Sequence, residues 1–244
     1  MANISFIELQ TKLGEYIANL PHNSRLPSEP ELAKSFGVSR ATLREAMRMF
    51  ETQGLIRRRQ GSGTFVVGNS ILLDSGLEVL ESMLTLARRT GHNIGPGPVK
   101  IAEIACDDEI ASKLECPVGT PLIRISRTMS AEDRPVAYLV DILPATVLTP
   151  DEIDKKFDGS VLDFLIHRGD ALTISYTRIT AENADSRIAR KLEIQRGDVV
   201  LKFEARLFTQ SGKVVDFTYS YFLPGYFDFH IVRRVEKHIE KNKS

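Results

Sequence analysis

Residues 26–66, LPSEPELAKSFGVSRATLREAMRMFETQGLIRRRQGSGTFV, constrain the fold more than any other stretch of the chain. A capped helix opens at Ser28. Glu31 is placed to reach back to the Ser28 amide and Ser28 to cap the Glu31 amide, while Pro30 removes an amide that has no helical partner so early in a helix. Leu32, Ala33 and Phe36 form its apolar side, and Gly37 supplies a left-handed stop. Ser39 caps the next helix, in which Leu43, Ala46, Met47 and Phe50 fall at i, i+3, i+4 and i+7, the spacing of a buried stripe. Gly54 ends it. Strands over 55–59 and 64–67 then flank Gln60-Gly61-Ser62-Gly63, whose glycines permit a tight turn. Upstream, Ile4, Ile7, Leu13, Tyr16 and Ile17 give a rough helical stripe that ends before Pro21. Two helices, a turn and a basic two-stranded wing follow in that order.

The second of the two helices also carries Arg40, Arg44 and Arg48 at every fourth position, off the core stripe. A bare arginine row is as often a solvated helix face, but the surrounding order of elements favours the major groove of DNA. A recognition helix offers its N-terminal residues to base edges, and arginine matches the two acceptors of guanine. Arg40 and Arg44 suit that role. Ser39, Thr42 and Arg48 suit phosphates, which position without reading sequence. Gln60, Gly61 and Ser62 form a wing tip fit for the minor groove. Charge agrees: residues 1–67 hold nine Lys/Arg against six Asp/Glu, whereas 68–244 hold 23 against 26.

This segment closely resembles the winged-helix DNA-binding domain of the GntR family of bacterial transcription regulators. The resemblance rests on LPSE, the Leu32-Ala33 pair, GVSRATLREA and GLIRRRQGSGTFV. It implies helix contacts from Ser39, Arg40, Thr42 and Arg44, and wing contacts from Gln60, Gly61 and Ser62. One departure stands out: the residue after LPSE is usually basic and touches DNA in this family, and here it is Pro30.

Gly68-Asn69-Ser70 reads as a hinge. Leu73, Leu77, Leu80, Leu84 and Ala87 then step by four, three, four, three, which predicts one helix closing on Arg88, Arg89 and Gly91. It packs on its own domain or, less simply, starts a short coiled-coil seam. From Val99 the pattern turns strand-like and repeats. Residues 110–115, IASKLE, match 188–193, IARKLE, at five of six positions, and the offset of 78 also aligns Gly119 with Gly197. Each copy reads as strand, helix and hairpin, and neither buries its own sheet face. The expected fold is α+β: a winged head over 1–67, a linker over 68–98 with one helix, and over 99–244 one antiparallel sheet shared by two halves.

A mixed domain of this kind after a GntR head resembles UTRA, as in the HutC-type subfamily. That resemblance implies a chorismate-lyase-like fold and a small-molecule effector. Where UTRA domains end in an Arg- and Asp-bearing stretch, this chain has Leu223 and Gly225. Ile123, Ile125, Arg127 and Met129 share one strand face, so Arg127 is a lone charge on an apolar face. It calls for an acidic partner, Asp141 or Asp216, or for an anionic ligand. In phosphosugar-binding UTRA domains this is the first of two anion-binding arginines; the second falls here on Met129, which points to a less charged or more apolar effector. Ser160 is an N-cap whose helix start suits a polar group. Tyr176 and Tyr221 are strand residues with polar tips. Candidate effector contacts are therefore Arg127, Asp141, Ser160, Tyr176 and Tyr221.

The five histidines show no metal-ligand spacing, Cys106 and Cys116 make no C-x-x-C, and no catalytic or phosphate-loop motif is present. No metal, cofactor or catalysis is expected. No apolar run reaches membrane-spanning length and no signal peptide opens the chain. The expectation is a cytoplasmic homodimer that binds a palindromic double-stranded operator and is released by an effector. The alternatives are an enzyme of chorismate-lyase-like fold tethered to DNA, and a constitutive DNA-binding protein.

Overall fold

The computed structural model describes residues 5–21, 24–52, 55–59, 62–66, 73–149, 152–153 and 157–233. In the head, α1 (Phe6–Ala18), α2 (Glu29–Phe36) and α3 (Arg40–Thr52) precede a two-stranded wing, β1 (Ile56–Arg59) and β2 (Gly63–Val66). Glu31 accepts from both the amide and the hydroxyl of Ser28, at 2.8 and 2.7 Å. Gly37 ends α2 at φ 66°, and Ser39 accepts from the Thr42 amide at 3.1 Å at the start of α3. Leu43, Ala46, Met47 and Phe50 are buried against Leu32, Ala33, Ile56 and Val66. The face of α1 differs from expectation. Leu9, Leu13 and Ile17 are buried while Ile7 is 76% exposed, because two residues along a helix turn the side chain to nearly the opposite side. Ser24 to Leu26 lie beside the wing, with Leu26 donating to the Thr64 carbonyl and Val66 to that of Ser24, both at 2.8 Å.

The helix expected over 73–87 is only partly present. Leu73–Gly76 is a strand, β3, and α4 is confined to Met83–Thr90, with Ser82 accepting from Thr85 at its start and Gly91 at φ 71° at its end. Leu73 and Ser75 alternate inward, and the N-cap at Ser82 fixes where helix can begin. β3 pairs in parallel with the strand at the other end of the domain, β11 (Phe227–His230).

The remaining strands are β4 (Ile94–Pro96), β5 (Lys100–Ala105), β6 (Pro121–Ala131), β7 (Arg134–Pro144), β8 (Leu172–Asn183), β9 (Val199–Thr209) and β10 (Val214–Phe222). They form one sheet in the order β4-β6-β7-β10-β9-β8, with β5 also on β6, and every pairing is antiparallel. Helices α5 (Asp108–Leu114) and α7 (Ser186–Leu192) follow β5 and β8, and α6 (Val161–Arg168) joins the halves. The 78-residue repeat holds to the level of single bonds. Asp107 and Asp185 cap the amides of Ile110 and Ile188, and Glu115 and Glu193 both stop their helices at left-handed φ, 54° and 55°. Gly119 and Gly197 donate to the carbonyls of Cys106 and Ala184 at 2.7 and 2.9 Å. Cys106 and Cys116, both free, bring their sulfurs to 3.4 Å across α5, and burial pushes the Cys106 thiol up to about 11.

Strand alternation sorts the sheet into two faces. Tyr138, Phe217, Tyr219 and Tyr221 face α5 and α7: Lys191 lies over the Tyr138 ring, Lys113 over Phe217, and Tyr219 donates to Glu109 at 2.8 Å. The opposite face, with Leu139, Asp141, Asp216, Thr218 and Phe222, is covered by α4, α6 and the β3–β11 ribbon and leaves a cavity.

Candidate functional site

The head presents its arginines unequally. Arg40 is exposed at the start of α3. Arg44 donates through Nε and Nη2 to one oxygen of Glu29, at 3.2 and 2.8 Å, and Arg58 of the wing donates to the other at 2.9 Å. Glu29 is thereby held below the usual carboxylate range, first by its hydrogen bond from Arg44. One carboxylate, the last residue of LPSE, thus ties a recognition-helix arginine to a wing arginine. The sequence reading missed both Glu29 and Arg58 because it followed only the helical period. Arg48 is placed differently from Arg40 and Arg44. It pairs with Glu45 at 3.2 Å and, across to the C-terminal domain, with Asp198 at 3.4 Å and the side-chain oxygen of Gln195. A phosphate contact from Arg48 requires leaving those partners. Ser39 and Thr42 lie one helical turn apart with their hydroxyls 2.8 Å from each other. Ser62 is exposed, whereas Gln60 and Gly61 lie outside the described residues.

The cavity of the C-terminal domain measures about 570 Å³, within the range of small-molecule sites. Arg127 reaches it from β6 and is paired with Asp141 of β7, with only 4% and 7% of their side chains exposed. Arg127 is therefore a member of a buried ion pair, one of the two roles its isolation on an apolar face called for. Asp216 of β10 lies beside them. The Thr218 hydroxyl lies 3.0 Å from Asp216 Oδ2 and 3.3 Å from Asp141 Oδ1. Burial, and then the Asp141 charge, raise Asp216 well above the ordinary aspartate value of 3.8. Arg127 Nε and Asp216 Oδ1 are buried without a hydrogen-bond partner. The rest of the wall is largely apolar, with Met129, Leu139, Phe203, Phe222, Phe227 and Phe229.

Ser160 lines the cavity, and its hydroxyl accepts from the Asp163 amide at 3.0 Å as the cap of α6. Asp163 in turn accepts from Ser82 at 2.5 Å and from Thr85 at 3.3 Å, tying α6 to α4. Tyr176 and Tyr221 do not belong to this site. Tyr176 is 55% exposed on the outer face of β8, stacked under Arg206, and Tyr221 is buried on the helix-covered face beside Tyr138. Both were chosen for their polar tips, but the period of two places them away from the cavity: Thr177 and Ser220, their neighbours in sequence, line it instead. The same alternation, counted from Arg127 through the strand partners, was the signal available for Asp216 and Thr218. Asp74, Asp228 and His230 form a separate group on the exposed side of the β3–β11 ribbon, their ligand atoms within 4.8 Å of one another. No spacing rule finds them, because they come from opposite ends of the domain.

Asp216 carries a pH prediction. Its folded pKa is raised, so its contribution to stability is present below 3.8 and is lost as pH rises through the folded value. Within that window the loss is about 1.4 kcal/mol per pH unit. The charges facing Asp216 are Arg127 of β6 and Asp141 of β7, with Thr218 on its own strand. Asp216→Asn mimics the protonated form, and its thermal midpoint is expected to exceed that of the wild-type protein by a margin that grows as pH rises above 3.8. A margin independent of pH would show that folding does not raise the Asp216 pKa.

A basic winged head joined to a domain with a ligand-sized cavity defines a DNA-binding regulator with a sensory domain. Comparisons with known proteins agree. The profile of the gntR family of bacterial regulatory proteins matches residues 11–66, and that of the UTRA domain matches residues 90–228. The chain belongs to the GntR family, consistent with its HutC-type branch, and is a ligand-responsive transcriptional regulator of the GntR/UTRA type. It is 30% identical over 208 residues to the HTH-type transcriptional repressor NagR of Bacillus subtilis, a span of 84% of this chain and 82% of that protein. It is 29% identical over 196 residues to the histidine utilization repressor of Pseudomonas putida, a span of 79% of this chain and 76% of that protein. The crystal structure of PhnF from Mycobacterium smegmatis shares the fold, with a TM-score of 0.64 at 22% identity over 93% of this chain and all of that one. Among the described residues, no helix is long and apolar enough to cross a membrane.

Proposed function

We propose that the protein is a cytoplasmic homodimeric repressor that leaves a pseudo-palindromic operator when a small effector fills the cavity. The observation that carries this reading is the β6–β7 hairpin. Its body holds Arg127 and Asp141 in the cavity wall, and its tip meets the head. Arg134 donates to the Glu51 carbonyl of α3 at 2.9 Å, and Arg57 of the wing donates to the Glu132 carbonyl at 3.2 Å. Glu132 and Asp133 turn the hairpin at positive φ, 46° and 66°, which makes a tight and stiff tip. A ligand that shifts Arg127 or Asp141 thereby has a short, rigid route to the head. The second contact, Arg48 with Asp198, holds a candidate DNA-contacting arginine against the effector domain. Docked and freed heads are the two arrangements between which an effector must discriminate, since a ligand shifts an equilibrium only by its differential affinity. That two curated relatives carry the word repressor supports repression over activation. Catalysis has no part in this reading.

Selection of bound fragments from random double-stranded DNA tests the operator. The expected product is two inverted half-sites about one helical turn apart; enrichment of single, unpaired half-sites would contradict the dimer. The route is tested by Arg134→Ala. Operator affinity without effector and effector affinity without DNA are each expected to change less than about twofold, while the factor by which effector weakens operator binding, of order 5 to 150 in such systems, falls several-fold. An unchanged factor would remove the hairpin from the route.

A further inference from the structure

We infer that the effector is a small organic cation, an amine with an apolar body and a hydrogen-bond acceptor, rather than a phosphate or carboxylate. This rests on the cavity being the effector site and deepens that reading. The charges in the cavity wall are Arg127 against Asp141, Asp216, Glu78 and Glu81. Glu81 is already bound by Arg89 at 2.6 Å, and Glu78 accepts from the Val232 amide. At depth the one guanidinium is taken by Asp141, and Asp216 beside them is the group left to meet a ligand. An anion would have to compete with Asp141 for that guanidinium and would oppose any ionisation of Asp216 beside it. The start of α6 offers no refuge, since its capping hydroxyl is used and its third residue, Asp163, is itself a buried carboxylate.

The two unpartnered atoms state the other half of the requirement. Asp216 Oδ1 lacks a donor and Arg127 Nε–H lacks an acceptor. Both atoms are closed off from the cavity as it stands, so a ligand meets them when these side chains turn toward it; one ligand bearing both an ammonium and a hydroxyl or carbonyl would then partner both. Phe203, Phe222, Phe227 and Phe229, with neighbouring ring centroids 4.6–5.4 Å apart, line the same space. They suit an apolar body and offer ring faces to a cation. Burial raises the Asp216 pKa, and an ammonium beside the carboxyl favours its ionised form, the proton leaving to solvent as the ion pair forms. Binding is therefore expected to tighten as pH rises, with Arg127, Asp141, Glu78 and Glu81 the other charges facing the site.

Matched probes separate the classes: 2-amino-1-phenylethanol as cation, 1-phenylethane-1,2-diol as neutral diol and 3-hydroxy-3-phenylpropanoate as anion, with a second series bearing butyl for phenyl. Thermal shift and calorimetry on the full chain read binding, and fluorescence anisotropy of a selected operator reads response. The expected result is that an amine raises the melting midpoint by at least about 2 °C near saturation, that its affinity rises between pH 6 and pH 8, and that Asp216→Asn weakens it about tenfold or more. The wild-type pH dependence stands on its own should the variant prove altered in folding. Preferential binding of an anion or diol, or no binding by any amine, overturns the cation assignment; an anion or diol that also releases DNA does so while leaving the sensor reading intact. An amine that binds but leaves operator affinity unchanged upholds the ligand class and sinks the sensor reading.

Discussion

Arg127→Ala is expected to destabilise the C-terminal domain by about 3–5 kcal/mol, the usual cost of stranding one member of a buried ion pair. The loss is large because Arg127 offsets the buried Asp141 charge, with the Asp216 carboxyl beside it. Removing Arg127 leaves the Asp141 and Asp216 carboxyls side by side, with the Thr218 hydroxyl near both. In a protein of this size each kcal/mol moves the melting midpoint by about 2–4 °C, so a fall on the order of 10 °C is expected. Arg127→Met with Asp141→Leu removes charge from both sides of the pair and is expected to recover most of it. A fall of less than about 2 °C in the single variant would show that the pair is not desolvated. Arg127→Ala is consequently a poor test of effector response, since it removes the floor of the cavity together with any contact to a ligand.

Arg44→Ala is expected to weaken specific operator binding at least about 30-fold. A good arginine–guanine pair contributes about 1–3 kcal/mol of discrimination, and a symmetric dimer loses it twice. Stability is expected to change little, because Arg44 is more than half exposed and its partner Glu29 keeps Arg58. The geometry also sharpens which arginines matter. Arg40 and Arg44 are exposed at the N-terminal half of α3, whereas Arg48 is engaged by Asp198 and Gln195. With Pro30 where the family resemblance leads one to expect a basic contact, Arg40, Arg44 and the wing are the proposed base-reading groups. A gel-shift titration in which Arg44→Ala binds the selected operator as tightly as the wild-type protein would remove Arg44 from the interface.

Most of this architecture was legible in residue order, for identifiable reasons. The head is written in local signals, the Ser28 and Ser39 caps, the Gly37 stop and the Leu43–Phe50 stripe, which act within one or two turns. The two-half sheet was legible because the IASKLE and IARKLE segments repeat together with Gly119 and Gly197 in the turns that follow them. Residues 73–76 were misread as helix because leucines spaced by three and four satisfy a helical period, while their true partner, β11, lies some 150 residues on. Only tertiary pairing decides such a segment. The site was half legible. Arg127 stood out as a charge on an apolar face, and Asp141 and Ser160 are in the cavity wall with it. The polar tips of Tyr176 and Tyr221 suggest ligand contacts that their strand phase denies, and Asp216 is marked in the sequence only as a possible partner for Arg127.

The central claim is that occupancy of the cavity controls the grip of the head on DNA. Ala205 tests it. This residue is the repeat counterpart of Arg127, and it lines the cavity from β9 between Thr177 and Thr218. Ala205→Trp is expected to fill the cavity with an indole and block the ligand. Fluorescence anisotropy of the selected operator, with each protein in the presence of a cavity ligand found by thermal shift, is the direct measurement. The ligand should weaken operator binding by the wild-type protein at least about fivefold and leave Ala205→Trp unaffected. A wild-type operator affinity that stays constant at saturating ligand, or an equal response in Ala205→Trp, would contradict control through this cavity.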